Sequence, residues 1–194
     1  MLTLVEVRGE VQMLATLRQI ADQLNSQQLM WAVGGSLMLN HYGLAEKPND
    51  IDLLVDLNDI VKVDEILCSM GEKKTRVEVG QYSTKYFYEY VINGFDVDVM
   101  SGLAINHDDG VFNFIFDQDS IAGFKEIGGT KIPLGSLEDW YVLYQLIPGR
   151  DGRVNAIEGY LKSNGVTRPD LLIRMLTLSL PDGVKANVKE MLER

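Results

Sequence analysis

The stretch LMWAVGGSLMLNHYGLAEKPNDIDLLV runs from Leu29 to Val55. Its first five residues, Leu29-Met30-Trp31-Ala32-Val33, are apolar and stop at Gly34-Gly35, which reads as a buried strand ending in a turn. Ser36-Leu37-Met38-Leu39-Asn40-His41-Tyr42 then reads as a short helix closed by Gly43. Ile51-Asp52-Leu53-Leu54-Val55 is a second strand. Glycines between a strand and a helix let the backbone approach a ligand closely, and the free N–H groups of a helix start favour an anion. Taken alone, Gly34-Gly35-Ser36 is more often an ordinary tight turn with a serine N-cap. Asp50 and Asp52 are harder to pass over. Side chains two apart on a strand share a face, and two carboxylates there repel unless water or a cation intervenes.

On either side of this stretch lie two amphipathic helices. Residues 8–25 carry Val11, Leu14, Leu17, Ile20, Ala21 and Leu24 at three- and four-residue steps. Residues 58–70 repeat the pattern, with Asn58 placed to cap them. A hairpin is expected next, because Asn93-Gly94 sits between the β-rich runs Lys85–Ile92 and Phe95–Met100. A two-residue turn would set Val91 opposite Asp96 and Glu89 opposite Asp98. One face would then carry Glu89, Asp96 and Asp98, and the other Tyr88, Tyr90, Val97 and Val99. Three hard oxygen donors without a His or Cys set favour Mg²⁺ or Mn²⁺ over zinc.

Further strands are expected at 111–116 and 130–134. Helices are expected at 137–147, 152–163, 168–179 and 182–193, separated by Pro148-Gly149, Asn164-Gly165 and Pro181. Tyr82, Tyr86, Tyr88 and Tyr90 alternate at strand period and read as packing. His41 and His107 have no metal-ligand spacing, and Gly128-Gly129-Thr130-Lys131 lacks P-loop spacing and reads as a β-turn.

The chain has 194 residues, with 18 Lys+Arg against 28 Asp+Glu and a formal net charge of -10. That balance argues against nucleic acid held on a broad basic surface, which needs clustered Lys and Arg. Cys68 cannot form an internal disulfide and is expected as a buried thiol in a helix. No apolar run approaches the ~18 residues of a membrane span. The start, Met1-Leu2-Thr3-Leu4-Val5-Glu6, has no signal-peptide pattern. A soluble, cytoplasmic protein without membrane contact is expected.

The combination resembles the nucleotidyltransferase superfamily with a DNA polymerase β-like palm. The matching elements are Val33-Gly34-Gly35-Ser36, thirteen intervening residues, Asp50-Ile51-Asp52-Leu53, and later Val97-Asp98-Val99. The resemblance extends to small bacterial members through Lys131-Ile132-Pro133-Leu134-Gly135-Ser136-Leu137-Glu138. It implies an α+β fold: a mixed-sheet palm with flanking helices over 1–135, then a helical part over 136–194. It also implies an enzyme that moves an NMP from an NTP, ATP among them, to a hydroxyl acceptor, releasing pyrophosphate. Asp50, Asp52 and Asp98 would be catalytic and hold Mg²⁺ or Mn²⁺, while Gly34, Gly35 and Ser36 would contact the nucleotide phosphates. Many relatives carry Arg-x-Lys-Asp in the helical part. Here Arg150-Asp151-Gly152-Arg153 stands there, so phosphate neutralisation would pass to Arg150 or Arg153. The acceptor, whether small molecule, protein or RNA, is left open. So are two other roles of such palms: a degenerate binding domain, and a toxin paired with an antitoxin.

Overall fold

The computed structural model describes residues 4–45, 47–75 and 80–193. Helix α1 spans Leu4–Ser26, followed by β1 (Trp31–Val33), α2 (Gly35–His41), β2 (Ile51–Val55) and α3 (Ile60–Met70). Strands β3 (Glu72–Lys73), β4 (Tyr86–Ile92), β5 (Phe95–Ser101), β6 (Ala104–His107) and β7 (Gly110–Asn113) come next. Strands β8 (Ile121–Ile127) and β9 (Thr130–Gly135) lead into α4 (Leu137–Leu146), α5 (Asp151–Asn164), α6 (Pro169–Leu176) and α7 (Asp182–Leu192).

Seven strands form one mixed sheet in the order β3-β4-β5-β2-β1-β9-β8, and β6 and β7 pair separately. β2 runs parallel to β5 and antiparallel to β1, and β1 runs parallel to β9. The fold is therefore α+β, as expected. The hairpin register is also as expected: Ile92 faces Phe95, Val91 faces Asp96 and Glu89 faces Asp98. Asn93 and Gly94 both adopt positive φ, the conformation a two-residue turn of this type demands.

The sheet has a different apolar core on each face. Against one face pack α1 and α3, through Leu17, Ile20, Leu24, Ile60, Val63 and Leu67, onto Ile51, Leu53, Tyr90, Val97 and Val99. Against the other face pack α4 to α7, whose Leu143, Ile157, Leu172 and Val188 share a core with Met38, Leu54 and Met100. Strand alternation sets this division. On β2, Ile51, Leu53 and Val55 enter the first core, so Asp52 and Leu54 turn to the helical layer. On β5, Val97 and Val99 do the same, so Asp98 and Met100 turn with them.

Several local expectations change. Val11 is exposed and Met13 takes the buried place in α1, because the buried stripe follows Met13, Leu17, Ile20 and Leu24. Asn58 does not cap α3. Its side chain donates to Asp56, and the helix begins beyond Asp59, whose carboxylate accepts from the Met30 N–H. Cys68 is exposed rather than buried, with its thiol 3.3 Å from Asp64. Partial desolvation of the sulfur and the neighbouring Asp64 carboxylate push its pKa up. β8 adds a strand that the sequence pattern does not predict. It is an edge strand with Lys125 and Glu126 within it, so it lacks an apolar run. The strand expected at 111–116 is the shorter β7, paired with β6 around Asp108-Asp109. The helix expected at 168–179 is Pro169–Leu176, starting on proline at its first turn.

Candidate active site

The carboxylates come together because of strand register. Asp52 and Asp98 are direct partners across the parallel β2–β5 pair, and Asp98 in turn faces Glu89 across β5–β4. Asp50 lies two residues before Asp52, on the same side of the chain. Asp50, Asp52 and Asp98 each present an oxygen, all within 4.8 Å of one another. Asp96, on the same face of the hairpin, is exposed and tied to Lys74 at 2.5 Å. The structure thus separates the two aspartates of β5: Asp98 sits at the cluster and Asp96 at the rim.

Electrostatics follow from this crowding. Burial, then the Asp50 and Asp98 charges, push the Asp52 carboxyl up to about 7, opposed by Arg153 and Arg150. Burial, then Glu89, Asp50 and Asp96, push Asp98 up to about 6, opposed by Lys74. Carboxylates held so close to one another, half-buried and supplying only hard oxygens, fit Mg²⁺ or Mn²⁺, whose charge would relieve the repulsion.

The two glycines of the turn are small for different reasons. A Cβ on Gly35 would stand 1.7 Å from Asp52 Oδ2, and Gly35 has φ +56. The absence of a side chain therefore makes room for Asp52 itself, in a backbone conformation that other residues strain to adopt. A Cβ on Gly34 would stand 1.9 Å from Cζ2 of Trp140 on α4. Gly34 is bound to β2 as well, its N–H donating to the Asp52 carbonyl at 2.9 Å. Ser36 is not the helix cap. It lies inside α2, buried, and its hydroxyl donates to Asp50 Oδ1 at 3.2 Å.

These groups open onto a cleft of about 500 Å³ between the sheet and the helical layer. One side carries Asp50, Asp52, Glu89 and Asp98; the opposite side carries Arg150 and Arg153 from the start of α5, with Lys74 at the rim. An aromatic and aliphatic wall joins them, including Tyr82, Phe87, Trp140, Leu143 and Tyr144. Arg153 Nη1 donates to the Tyr144 hydroxyl at 2.9 Å. Tyr82 departs from the packing role that its strand-period spacing predicts. It lies outside β4, bridges to Ile105 and faces the cleft. Tyr90, by contrast, is core, as expected. Trp140 and Tyr144 carried no sequence signal, because a helical aromatic four residues from another is indistinguishable from core.

The family profile described as aminoglycoside-2''-adenylyltransferase matches residues 16–160. Among solved structures, TM1012 of Thermotoga maritima, assigned as a nucleotidyltransferase, is 27% identical over 79% of this chain and 94% of its own, with TM-score 0.60. ANT(2'')-Ia, solved with adenylyl-2''-tobramycin, is 16% identical over 94% of this chain and 98% of its own, with TM-score 0.53. The lincosamide antibiotic adenylyltransferase LnuA, solved with lincomycin, is 17% identical over 74% of this chain and 95% of its own, with TM-score 0.51. The latter two likenesses are of fold. Among curated proteins none matches. No helix among the described residues is long and apolar enough to cross a membrane.

Proposed function

The chain belongs to the aminoglycoside-2''-adenylyltransferase family and is a nucleotidyltransferase; from that premise we propose that it transfers an NMP from a Mg²⁺-bound NTP, ATP first among them, to a hydroxyl of a small polar acceptor. The observation that carries this reading is the convergence of Asp50, Asp52 and Asp98 at the base of a cleft with cationic groups opposite.

Asp50, Asp52 and Asp98 would hold the divalent ion, which when bound neutralises phosphate charge and lowers the pKa of a coordinated hydroxyl. Ser36 orients Asp50 through their hydrogen bond. The Gly34-Gly35-Ser36 backbone would contact the triphosphate, with Arg150 and Arg153 drawing its negative charge toward the helical side. Asp98 lies toward the hairpin, beside Glu89, and would accept the proton of the acceptor hydroxyl. The freed oxygen forms a bond to the α-phosphorus as the bond from that phosphorus to the pyrophosphate oxygen breaks. Pyrophosphate leaves with the electron pair.

A cleft of about 500 Å³ suits a nucleotide with the reactive end of a small acceptor. The named small-molecule adenylyltransferases of the same fold support that choice over RNA or protein, as does the net charge of -10. The test is transfer of label from each of the four α-labelled NTPs, with Mg²⁺, to tobramycin, lincomycin and a bulk RNA fraction. Label on a small acceptor with equimolar pyrophosphate is the expected result. Label on RNA alone would overturn the acceptor class, and no transfer or pyrophosphate release with any NTP would overturn the reaction.

A further inference from the structure

Trp140 on α4 touches the glycine turn. Its indole is 4% exposed and lies over Gly34, occupying the space a side chain would need: an ideal Cβ there is 1.9 Å from Cζ2, 2.5 Å from Cε2 and 2.9 Å from Nε1. It also lies against Gly135 at the end of β9, where a Cβ would be 3.0 Å from Nε1. The indole N–H is buried and meets no acceptor among the described residues. Its fused ring is what reaches the turn.

From there the contacts continue into the cleft. The Trp140 and Tyr144 rings are 5.0 Å apart, and the Tyr144 hydroxyl accepts from Arg153, whose guanidinium also lies 5.2 Å from the Tyr144 ring. Gly34 is held to β2 by its bond to the Asp52 carbonyl, and the next residue abuts the Asp52 carboxylate. One packed line thus joins Arg153, Tyr144, Trp140, the turn and Asp52.

We propose that Trp140 is a positioning residue for nucleotide binding, fixing the Gly34-Gly35-Ser36 turn and coupling it to Arg153 across the cleft. This rests on the nucleotidyltransferase reading of the same site. Phenylalanine at 140 keeps a ring beside Tyr144 but is too short to cover Gly34, so the turn loses its support while the helix keeps its core.

The experiment is a double-mutant cycle on the full chain, Trp140→Phe against Arg153→Ala, with ATP–Mg²⁺ binding measured by calorimetry at 25 °C and melting temperature measured alongside. Another NTP replaces ATP if ATP does not bind. Each single variant is expected to weaken binding about tenfold, and the double variant to be no more than about threefold worse than the weaker single, because both act on one coupled line. Tyr144→Phe, which keeps the ring stack and removes the acceptor for Arg153, is expected to weaken binding in the same direction and serves if Trp140→Phe does not fold. A purely structural tryptophan would lower the melting temperature and leave affinity unchanged. Unchanged affinity in Trp140→Phe, or in Tyr144→Phe where Trp140→Phe does not fold, overturns the inference alone, as does full multiplication of the two effects to about a hundredfold. If the wild-type chain binds none of the four NTPs, the nucleotidyltransferase reading fails and takes this inference with it.

Discussion

The two walls of the cleft are built by different means. On the sheet side, Asp52, Asp98 and Glu89 form a row across three strands, each placed by backbone pairing with the next. On the helical side, Trp140, Tyr144, Arg150 and Arg153 reach the same cleft from two helices and the turn between them, each placed by packing. A side chain on a paired strand has its direction fixed by register, so charges that repel can be forced together. A side chain on a packed helix is held only as well as its neighbours hold it. The sheet wall is therefore crowded with like charge and set by backbone pairing, and the helical wall is set by side-chain packing. Substitutions on the first should remove function, and substitutions on the second should grade it.

The largest effect is expected from Asp52→Asn. Turnover should fall by about 10³ or more, since a group proposed to hold the ion is lost. The combined stabilisation by Mg²⁺ and NTP, about 2.7 kcal/mol at ~100 times the dissociation constant, should vanish. Yet the metal-free variant should melt higher than wild type at pH 8, because one of three crowded charges is gone. Differential scanning calorimetry with and without ligands checks both statements, and a lower metal-free melting temperature would break the picture of a row crowded with like charge.

Next comes Asp98 against Asp96. Asp98→Asn should lower turnover by ~10²–10⁴ while NTP binding survives, since Asp50 and Asp52 remain. Asp96→Asn should cost less than about tenfold, because that carboxylate is exposed and paired with Lys74. Steady-state kinetics with a binding titration separate the two. An active Asp98→Asn beside a dead Asp96→Asn would move the site to the rim.

Gly35→Ala probes the turn where the walls meet. The new methyl would run into Asp52 Oδ2 from a backbone at positive φ. Metal-dependent NTP affinity should fall about tenfold to a hundredfold, and the apparent affinity for Mg²⁺ should fall with it. Loss of NTP affinity with Mg²⁺ affinity intact would mean that the glycine serves the phosphate and not the aspartate. On the helical wall, Arg150→Ala should raise the KM for NTP about tenfold and leave kcat within about threefold, the pattern of uniform binding lost.

The smallest effect is on pH dependence. Asp52 and Asp139 are pushed up to about 7 and Asp98 to about 6, mainly by burial. An unfolded carboxylate titrates near ~4. Between those values the folded chain holds more protons than the unfolded one, so stability falls as pH rises through that window. The metal-free protein should melt about 3 °C or more higher at pH 5.5 than at pH 8. Saturating Mg²⁺ should flatten the part owed to Asp52 and Asp98, since the ion replaces the protons, and leave the part owed to Asp139. That residue lies away from the cluster, buried on α4 and 3.7 Å from Arg174. An unchanged slope in Mg²⁺ would mean that the ion does not bind at the row.

The sequence by itself determined the pieces of the sheet wall. Asn93-Gly94 sets the hairpin register, alternation places Asp96 and Asp98 on one face, and Gly34-Gly35 with Asp50-Ile51-Asp52 fixes where a strand, a turn and a second strand must lie. These are short-range consequences of backbone geometry, with periods of two residues and turns of two, so they can be read without knowing the fold. Tertiary structure decided the rest. It put Asp52 beside Asp98, since a parallel pairing between strands more than forty residues apart leaves no local mark. It moved Ser36 from the helix cap to Asp50, gave Gly34 and Gly35 their separate reasons for being small, and turned Cys68 outward. It also brought Trp140, Tyr144 and Arg153 to the cleft. Helical periodicity says which residues are apolar together, but only the packing of α4 and α5 on the sheet says which of them a substrate would meet.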